Sequence, residues 1–271
     1  MQNNLFSVKD KVIILTGGSG ILGSCMAKHL AKEGASVVIL DLNEAAGKGL
    51  ETEIKNDGGK ALFLKTNVLD KQILEDNAKA IIEAFGSIDV LINLAGGNMP
   101  GATIPPDKTF FDLDIEAFRK VVDLNLFGTV IPTMVFVRYM VEQKKGSIIN
   151  ISSESALRPL TRVIGYGTAK AAINNYTQSM AGELAIKFGE GLRVNAIAPG
   201  FFLTEQNRAL MTNPDGTPSD RCKTVIAHTP FRRLGRAEEL LGTVQWLASD
   251  ASAFVTGTVI PVDGGFDAFS I

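Results

Sequence analysis

Short apolar runs alternate with segments of helical periodicity along this chain of 271 residues, and that alternation restricts the fold more than any single motif. The apolar runs fall at 12–15, 36–40, 61–66, 90–93, 147–151 and 193–198. Helical patterns lie between them: one through Met26, Leu30 and Ala31, then 43–56, 71–85, about 115–143 and 165–188. Strands separated by helices need crossover connections, so they pair in parallel and carry helices on both faces. The expectation is an α/β fold, a doubly wound parallel sheet in three α/β/α layers. Its length suits one continuous core, and 1–271 reads as a single domain.

Sheets of this kind bind ligands at the carboxyl ends of their strands. Thr16-Gly17-Gly18-Ser19-Gly20-Ile21-Leu22-Gly23 stands at the first such end, between a strand and a helix. Glycines permit the tight turn and let backbone N–H groups approach a pyrophosphate, which the positive end of the helix also attracts. This is the Rossmann-type arrangement, and Gly17, Ser19, Gly20, Ile21 and Gly23 become candidate dinucleotide contacts. The second strand ends in Asp41, eighteen residues past Gly23, near the spacing at which a carboxylate meets the adenosine ribose. A carboxylate there repels a 2′-phosphate, and no Arg occupies 42–47, which favours NAD over NADP. Asp41 could instead, or also, cap the helix that follows.

The chemistry is expected between Ser153 and Lys170. The helical pattern after Ile164 puts Tyr166 and Lys170 on one face, one turn apart. A tyrosine with a pKa of about 10 is a poor acid or base at neutral pH, and a neighbouring ammonium is expected to lower it. The motif is short and weak by itself. Ser153 and Ser152 both follow a strand, and alternation lets only one of them face a ligand.

Composition excludes other classes. With 45% hydrophobic residues, 21% charged and a net charge of -2, the chain has no basic field for nucleic acid. Cys25 and Cys222 stand apart without metal-ligand spacing, so neither a disulfide framework nor a metal site is signalled. The first ten residues lack a secretion signal, and the apolar stretch at 124–137 is interrupted by Asn125, Gly128 and Pro132, too short to span a bilayer. A cytoplasmic protein without a membrane partner is expected.

Taken together, Thr16-Gly17…Gly23, Asn93-Leu94-Ala95-Gly96, Asn125, Ser153, Tyr166-x-x-x-Lys170, Pro199-Gly200…Thr204 and Asp263-Gly264-Gly265 resemble the short-chain dehydrogenase/reductase family over 9–265. The resemblance implies hydride transfer between nicotinamide and a secondary alcohol or ketone. Tyr166 would be the general acid/base and Ser153, selected over Ser152 by the family's spacing, would hold the substrate oxygen. Lys170 would hold the nicotinamide ribose, and Asn125 would hold a water beside Lys170; satisfying a helix kink is the other role open to Asn125. It adds Asn67, Val68, Asn93, Ala95, Gly96, Tyr166, Lys170, Pro199, Gly200 and Thr204 to the cofactor contacts. Ile21, Asn67 and Leu94 depart from the family's usual residues. Pro199-Gly-Phe-Phe-Leu-Thr-Glu-Gln-Asn-Arg-Ala-Leu is similar to the D-mannonate oxidoreductase (fructuronate reductase) subgroup, which implies a sugar-acid substrate.

The segment 201–234 reads as a long loop and a substrate lid. It carries Arg208, Arg221, Lys223, His228, Arg232 and Arg233, and Arg158 and Arg162 precede Tyr166. Arginine forks suit a carboxylate; Arg208 is taken as the substrate contact. His29 and Trp246 read as structural. The apolar excess of 115–140 suggests a homo-oligomer, and the resemblance a tetramer. The competing readings are a dehydrogenase of a neutral polyol or a 3-oxoacyl thioester, and a non-catalytic NAD-binding protein.

Overall fold

The computed structural model describes residues 4–269, apart from the side chains of residues 205, 206 and 209; the first three and last two residues of the expected domain lie outside the described residues. One sheet contains β1 (Val12–Thr16), β2 (Ser36–Asp41), β3 (Lys60–Lys65), β4 (Val90–Asn93), β5 (Gly146–Ile151), β6 (Leu192–Pro199) and β7 (Val259–Val262). The strands are all parallel, in the order β3-β2-β1-β4-β5-β6-β7. Strand order therefore reverses between β1 and β4, and the crevice opens at that point.

Alternating side chains build a core on each face. Ile13, Leu15, Val37 and Ile39 pack against α1 (Ile21–Lys32), α2 (Glu44–Asn56) and α9 (Leu241–Ala248). Val12, Ile14, Val38 and Leu40 pack against α3 (Lys71–Phe85), α5 (Gly128–Gln143) and α6 (Ile164–Phe188). With both faces covered, both sets of alternating side chains meet a core, which is why the apolar runs are near-continuous. Each fully buried Ile or Leu contributes about 1.5–3 kcal/mol. Trp246 packs against the first core, and His29 meets Gln245 at 2.7 Å.

Local chemistry sets the ends of the helices. Asn43, not Asp41, caps α2 by accepting from Ala46 N–H, while Asp70 caps α3 and Gly86 ends it at φ 81°. Three features differ from the sequence reading. First, the tract from 115 divides into α4 (Ile115–Val122), a π turn over Asp123–Phe127, and α5. It continues unbroken for 29 residues, long and apolar enough to cross a bilayer by length and composition, with half of its apolar window buried inside the protein. Pro132 does not end it; the helix runs on through the proline to Gln143. Second, 201–234 is not a structureless loop. It contains α7 (Glu205–Met211) and α8 (Asp220–His228), the latter capped by Ser219, and Met211, Cys222 and Val225 form a small core of their own with Phe201, Leu203 and Leu234. Third, β7 closes the sheet at an edge, the position where a strand tolerates Pro261.

Candidate active site

A cleft of about 550 Å³ runs along the carboxyl ends of the strands. Its nucleotide half begins at Thr16, whose hydroxyl accepts from Leu94 and Ala95 N–H at 3.1 Å and so ties the glycine turn to the end of β4. Gly17 is left-handed at φ 63°, and a Cβ there would lie 2.9 Å from Ala95 Cα. Gly23 is equally restricted: its Cβ would sit 2.7 Å from Gly17 O. No side chain caps α1 at Gly20, which leaves first-turn N–H groups open beside the turn and suits a pyrophosphate. Asp41 accepts from Ser19 and Asn43 N–H at 3.0 Å and lines the cleft with lone pairs to spare. These features fit a bound dinucleotide.

Most residues expected around the dinucleotide line this cleft: Gly17, Gly20, Ile21, Gly23, Asp41, Asn67, Val68, Ala95, Gly96, Pro199, Gly200 and Thr204. Ser19 and Asn93 are not among its lining residues. Ser19 contributes its N–H to Asp41. Asn93 is buried, donating to Thr133 and Asn150, and Asn150 donates to Thr177, so its amide joins a polar network inside the core.

The other half of the cleft holds Ser153, Tyr166 and Lys170 together. Tyr166 and Lys170 share a face of α6, with Nζ 5.6 Å from the ring centroid. Alternation across the end of β5 separates the two serines. Both border the cleft, but Ser152 is buried and its hydroxyl is spent on Asn174 and Lys170 O, whereas the Ser153 hydroxyl hydrogen-bonds Tyr166. Ser153 also accepts from Ser155 N–H and its hydroxyl at 3.2 and 3.1 Å, which fixes the Oγ in place.

The ionisation of the pair differs from the expectation. Burial pushes the Tyr166 phenol up, opposed by its bond to Ser153, and burial pushes Lys170 down to about 7. Loss of water is thus the main influence on both groups, and the phenol is raised, not lowered by an ammonium beside it. Lys170 donates to Ile151 O at 2.7 Å.

Asn125 is fully buried in the π turn, donating to Gly97 O at 2.7 Å and Val121 O at 2.8 Å and accepting from Gly97 N–H. It braces the helix irregularity and the 96–97 turn. A Cβ on Gly96 would lie 2.6 Å from Asn125 Oδ1 and 3.3 Å from Lys170 Nζ, so that glycine allows the two side chains to approach one segment of backbone.

On the substrate side the cleft takes in residues to which the sequence assigned no substrate contact, among them Arg221, read there only as one of the charges of the lid. Arg208 is exposed and is not among the residues lining the cleft, whereas Asn207, Leu210, Met211 and Arg221 are. Arg221 enters from α8 and makes only long contacts with Thr161, at 3.4 Å, and the charge of Arg162 faces it. His228 packs on Phe266 instead of lining the cleft. Glu154 also lines it, and its only advance signal was its place after Ser153. Among the described residues no cluster of three or more His, Cys, Asp or Glu could hold a metal ion.

Comparison with known proteins agrees with this geometry. Residues 11–215 match the short chain dehydrogenase family. An oxidoreductase of Bacillus subtilis named UxuB is 45% identical, over 97% of both chains. A crystal structure from Haemophilus influenzae with bound NAD, provisionally designated a D-mannonate oxidoreductase, is 44% identical over 97% of each chain, with a TM-score of 0.91. A gluconate 5-dehydrogenase of Burkholderia cenocepacia, in complex with NADP and tartrate, is 28% identical over 98% of this chain and 99% of its own, with a TM-score of 0.87. The chain belongs to the short chain dehydrogenase family, and its activity is NAD(P)-dependent oxidation or reduction at CH–OH groups.

Proposed function

We propose that this oxidoreductase uses NAD in preference to NADP and interconverts the secondary alcohol and ketone of a sugar acid, with D-mannonate and D-fructuronate as the leading pair. Arg221 carries the substrate half of this reading. It is a guanidinium in the cleft wall, opposite a second one on Arg162, and among the described residues neither has a carboxylate partner. Two like charges held close disfavour one another until an anion lies between them, and a carboxylate matches the guanidinium fork. The designations of the Haemophilus and Burkholderia proteins, and the tartrate in the latter, support the same class. Arg221 replaces Arg208 as the residue on which acid recognition rests.

NAD, when bound, supplies the ring that gives or takes the hydride. The residues proposed to hold it are Gly17, Gly20, Ile21, Gly23, Asn67, Val68, Ala95, Gly96, Pro199, Gly200 and Thr204, with Asp41 on the adenosine ribose. Ser153 and Tyr166 bind the reacting oxygen, and Tyr166 gives its phenolic proton to it in reduction or receives one in oxidation. Giving up the proton leaves Tyr166 as a phenolate, which its burial disfavours, so the phenol must be reprotonated before the next reduction. Lys170 holds the nicotinamide ribose, and Asn125 fixes the 96–97 turn beside it. Helices α7 and α8 form the lid over the substrate. Half-exposed Phe127 and Met134 on the 115–143 tract are apolar surface for a homotetramer, which we place in the cytoplasm.

The test is a panel of sugar acids, neutral polyols and acyl thioesters, read by NADH absorbance. Arg221→Ala is expected to raise KM for the acid about tenfold or more, from the ~1.5–3 kcal/mol of a charge-assisted hydrogen bond, and to leave a polyol unaffected. Tyr166→Phe is expected to lower kcat by about two to four orders with NAD binding retained. Equal effects of Arg221→Ala on acid and polyol would overturn the substrate assignment; NAD affinity lost with turnover preserved in Tyr166→Phe would overturn the mechanism.

A further inference from the structure

Glu154 directly follows Ser153 and opens the short 3₁₀ turn over Glu154–Ala156. It is 1% exposed, and neither of its carboxyl oxygens receives a hydrogen bond. An ionised carboxylate in that position would have lost its water and gained no donor, an arrangement that costs several kcal/mol. Nearby charge makes matters worse. The groups that face Glu154 are Asp263 and Asp267, from the segment after β7, and Arg158, from the loop before α6. Arg158 is already committed: its Nε donates to Asp267 Oδ1 at 2.9 Å and its NH2 group to Asp267 O at 2.6 Å. Burial, Asp263 and Asp267 together push Glu154 up to about 7.

Two carboxylates cannot hydrogen-bond each other, but a carboxyl and a carboxylate can. Asp263 is suited to be the acceptor. Its two oxygens take one N–H each, from Gly265 at 2.8 Å and Asp267 at 2.7 Å, which fixes its orientation and leaves lone pairs for a further donor. Asp263 also stands against the cleft floor, because a Cβ on Gly200 would lie 2.6 Å from Asp263 Cα.

We propose that Glu154 is a positioning residue for Ser153: its carboxyl shares a proton with Asp263, and this bond fastens the turn bearing Ser153 to the closing loop after β7. Ser153 reads this fastening directly, because its Oγ caps the turn that Glu154 begins. When the proton leaves, three carboxylates face one guanidinium and the turn is pushed away from the closing loop, which carries the Ser153 hydroxyl away from Tyr166. Glu154 touches neither the reacting oxygen nor the dinucleotide in this scheme; it acts through Ser153.

The inference takes from the proposed function only that Ser153 holds the substrate oxygen, and the first arm of its test needs no substrate. Infrared difference spectra of the whole protein should show the carbonyl band of a protonated carboxylic acid at about pH 6 that fades through about pH 7 and is missing from Glu154→Gln. Absence of that band from the unaltered protein would overturn the proton sharing. In the second arm, turnover of any alcohol or ketone the enzyme accepts is followed between about pH 6 and pH 9. Glu154→Gln donates to Asp263 without titrating, so the ratio of its kcat to that of the unaltered enzyme should climb at least threefold across that range, with KM for NAD unchanged. Asp263→Asn removes the nearest negative charge and should move the infrared transition to lower pH. A flat kcat ratio, or a transition unmoved by Asp263→Asn, would overturn the positioning role even if Glu154→Gln proved hard to fold.

Discussion

Replacing Lys170 with methionine tests whether the cleft is as dry as its geometry implies. Lys170 is 4% exposed, donates to Ile151 O at 2.7 Å, and has no ion-pair partner among the described residues. Burial lowers it from 10.5 to about 7. At ~1.4 kcal/mol for each tenfold change, holding the ammonium charged costs the folded protein about 5 kcal/mol. The unfolded chain keeps the proton up to the ordinary lysine value, whereas the folded chain gives it up near 7. Between those two values the unfolded state binds more protons, so stability rises with pH across that window, and below about 7 the full penalty is present. Lys170→Met abolishes this titration but leaves Ile151 O without its donor, a loss of ~1–3 kcal/mol. In urea unfolding the variant should therefore be more stable than the unaltered protein by about 2–4 kcal/mol near pH 6 and less stable by ~1–3 kcal/mol above pH 10, the curves crossing at about pH 9. A stability difference that stays constant across this range would refute the argument, because it would mean that Lys170 titrates alike in both states.

Three further substitutions separate glycines that a motif search would treat alike and probe cofactor choice. In Gly23→Ala the new Cβ would meet Gly17 O at 2.7 Å and Gly18 Cα at 2.8 Å, backbone atoms that cannot yield, so a loss of ~1–3 kcal/mol in thermal unfolding and at least about tenfold weaker NAD binding by fluorescence titration are expected. Gly20→Ala has its nearest protein neighbour at 3.5 Å and an ordinary backbone at φ -69°, and should leave thermal unfolding unchanged. Asp41→Asn retains an acceptor for Ser19 or Asn43 N–H while removing the charge that opposes a 2′-phosphate; the NADP-to-NAD ratio of kcat/KM should rise about tenfold, worth ~1.4 kcal/mol, and an unchanged ratio would remove Asp41 as the selector.

The features legible in the sequence were those written by local rules. The runs through β1, β2 and β4 announced a doubly covered parallel sheet because a strand buried on both faces admits apolar residues at every position. The glycine turn was legible because the left-handed backbone of Gly17 and the contacts of Gly23 with Gly17 and Gly18 are local, whereas the approach of Gly17 to Ala95 is not. The ranking of Ser153 over Ser152 needed the family spacing, since alternation states that they differ but not which one faces the ligand. What could not be read lies in contacts made across the chain. Helices α7 and α8 span seven and nine residues, too short for periodicity to rise above a polar composition, and they bury their few apolar groups against each other and against Phe201, Leu203 and Leu234. Arg221, not Arg208, lines the cleft, a placement that no local pattern fixes. Asn93 belongs to a core network because Thr133 and Asn150, both distant in sequence, stand opposite it.

The expectation about Tyr166 failed for a reason that extends to the whole cleft. Sequence spacing shows which groups are neighbours, and neighbours suggest attraction between charges; it does not show how much water they retain. In this cleft dehydration is the largest influence on Tyr166, Lys170 and Glu154 alike, and each is driven toward its neutral form. The pH windows of the latter two adjoin. Glu154 binds its proton more tightly in the folded state, so its contribution to stability is complete below its ordinary value of 4.5 and is lost as pH rises to about 7. Lys170 brings its own penalty at and below about 7, relieved only as pH rises toward 10.5. Near neutrality the fold thus bears both penalties together, as expected where side chains are placed for chemistry and the rest of the core supplies the stability. Such an arrangement persists because the sheet beneath it is continuous: Ile148, Ile149 and Ile151 run to the base of the turn bearing Ser153, and the apolar packing on both faces of that strand offsets the dehydration of the groups at its end.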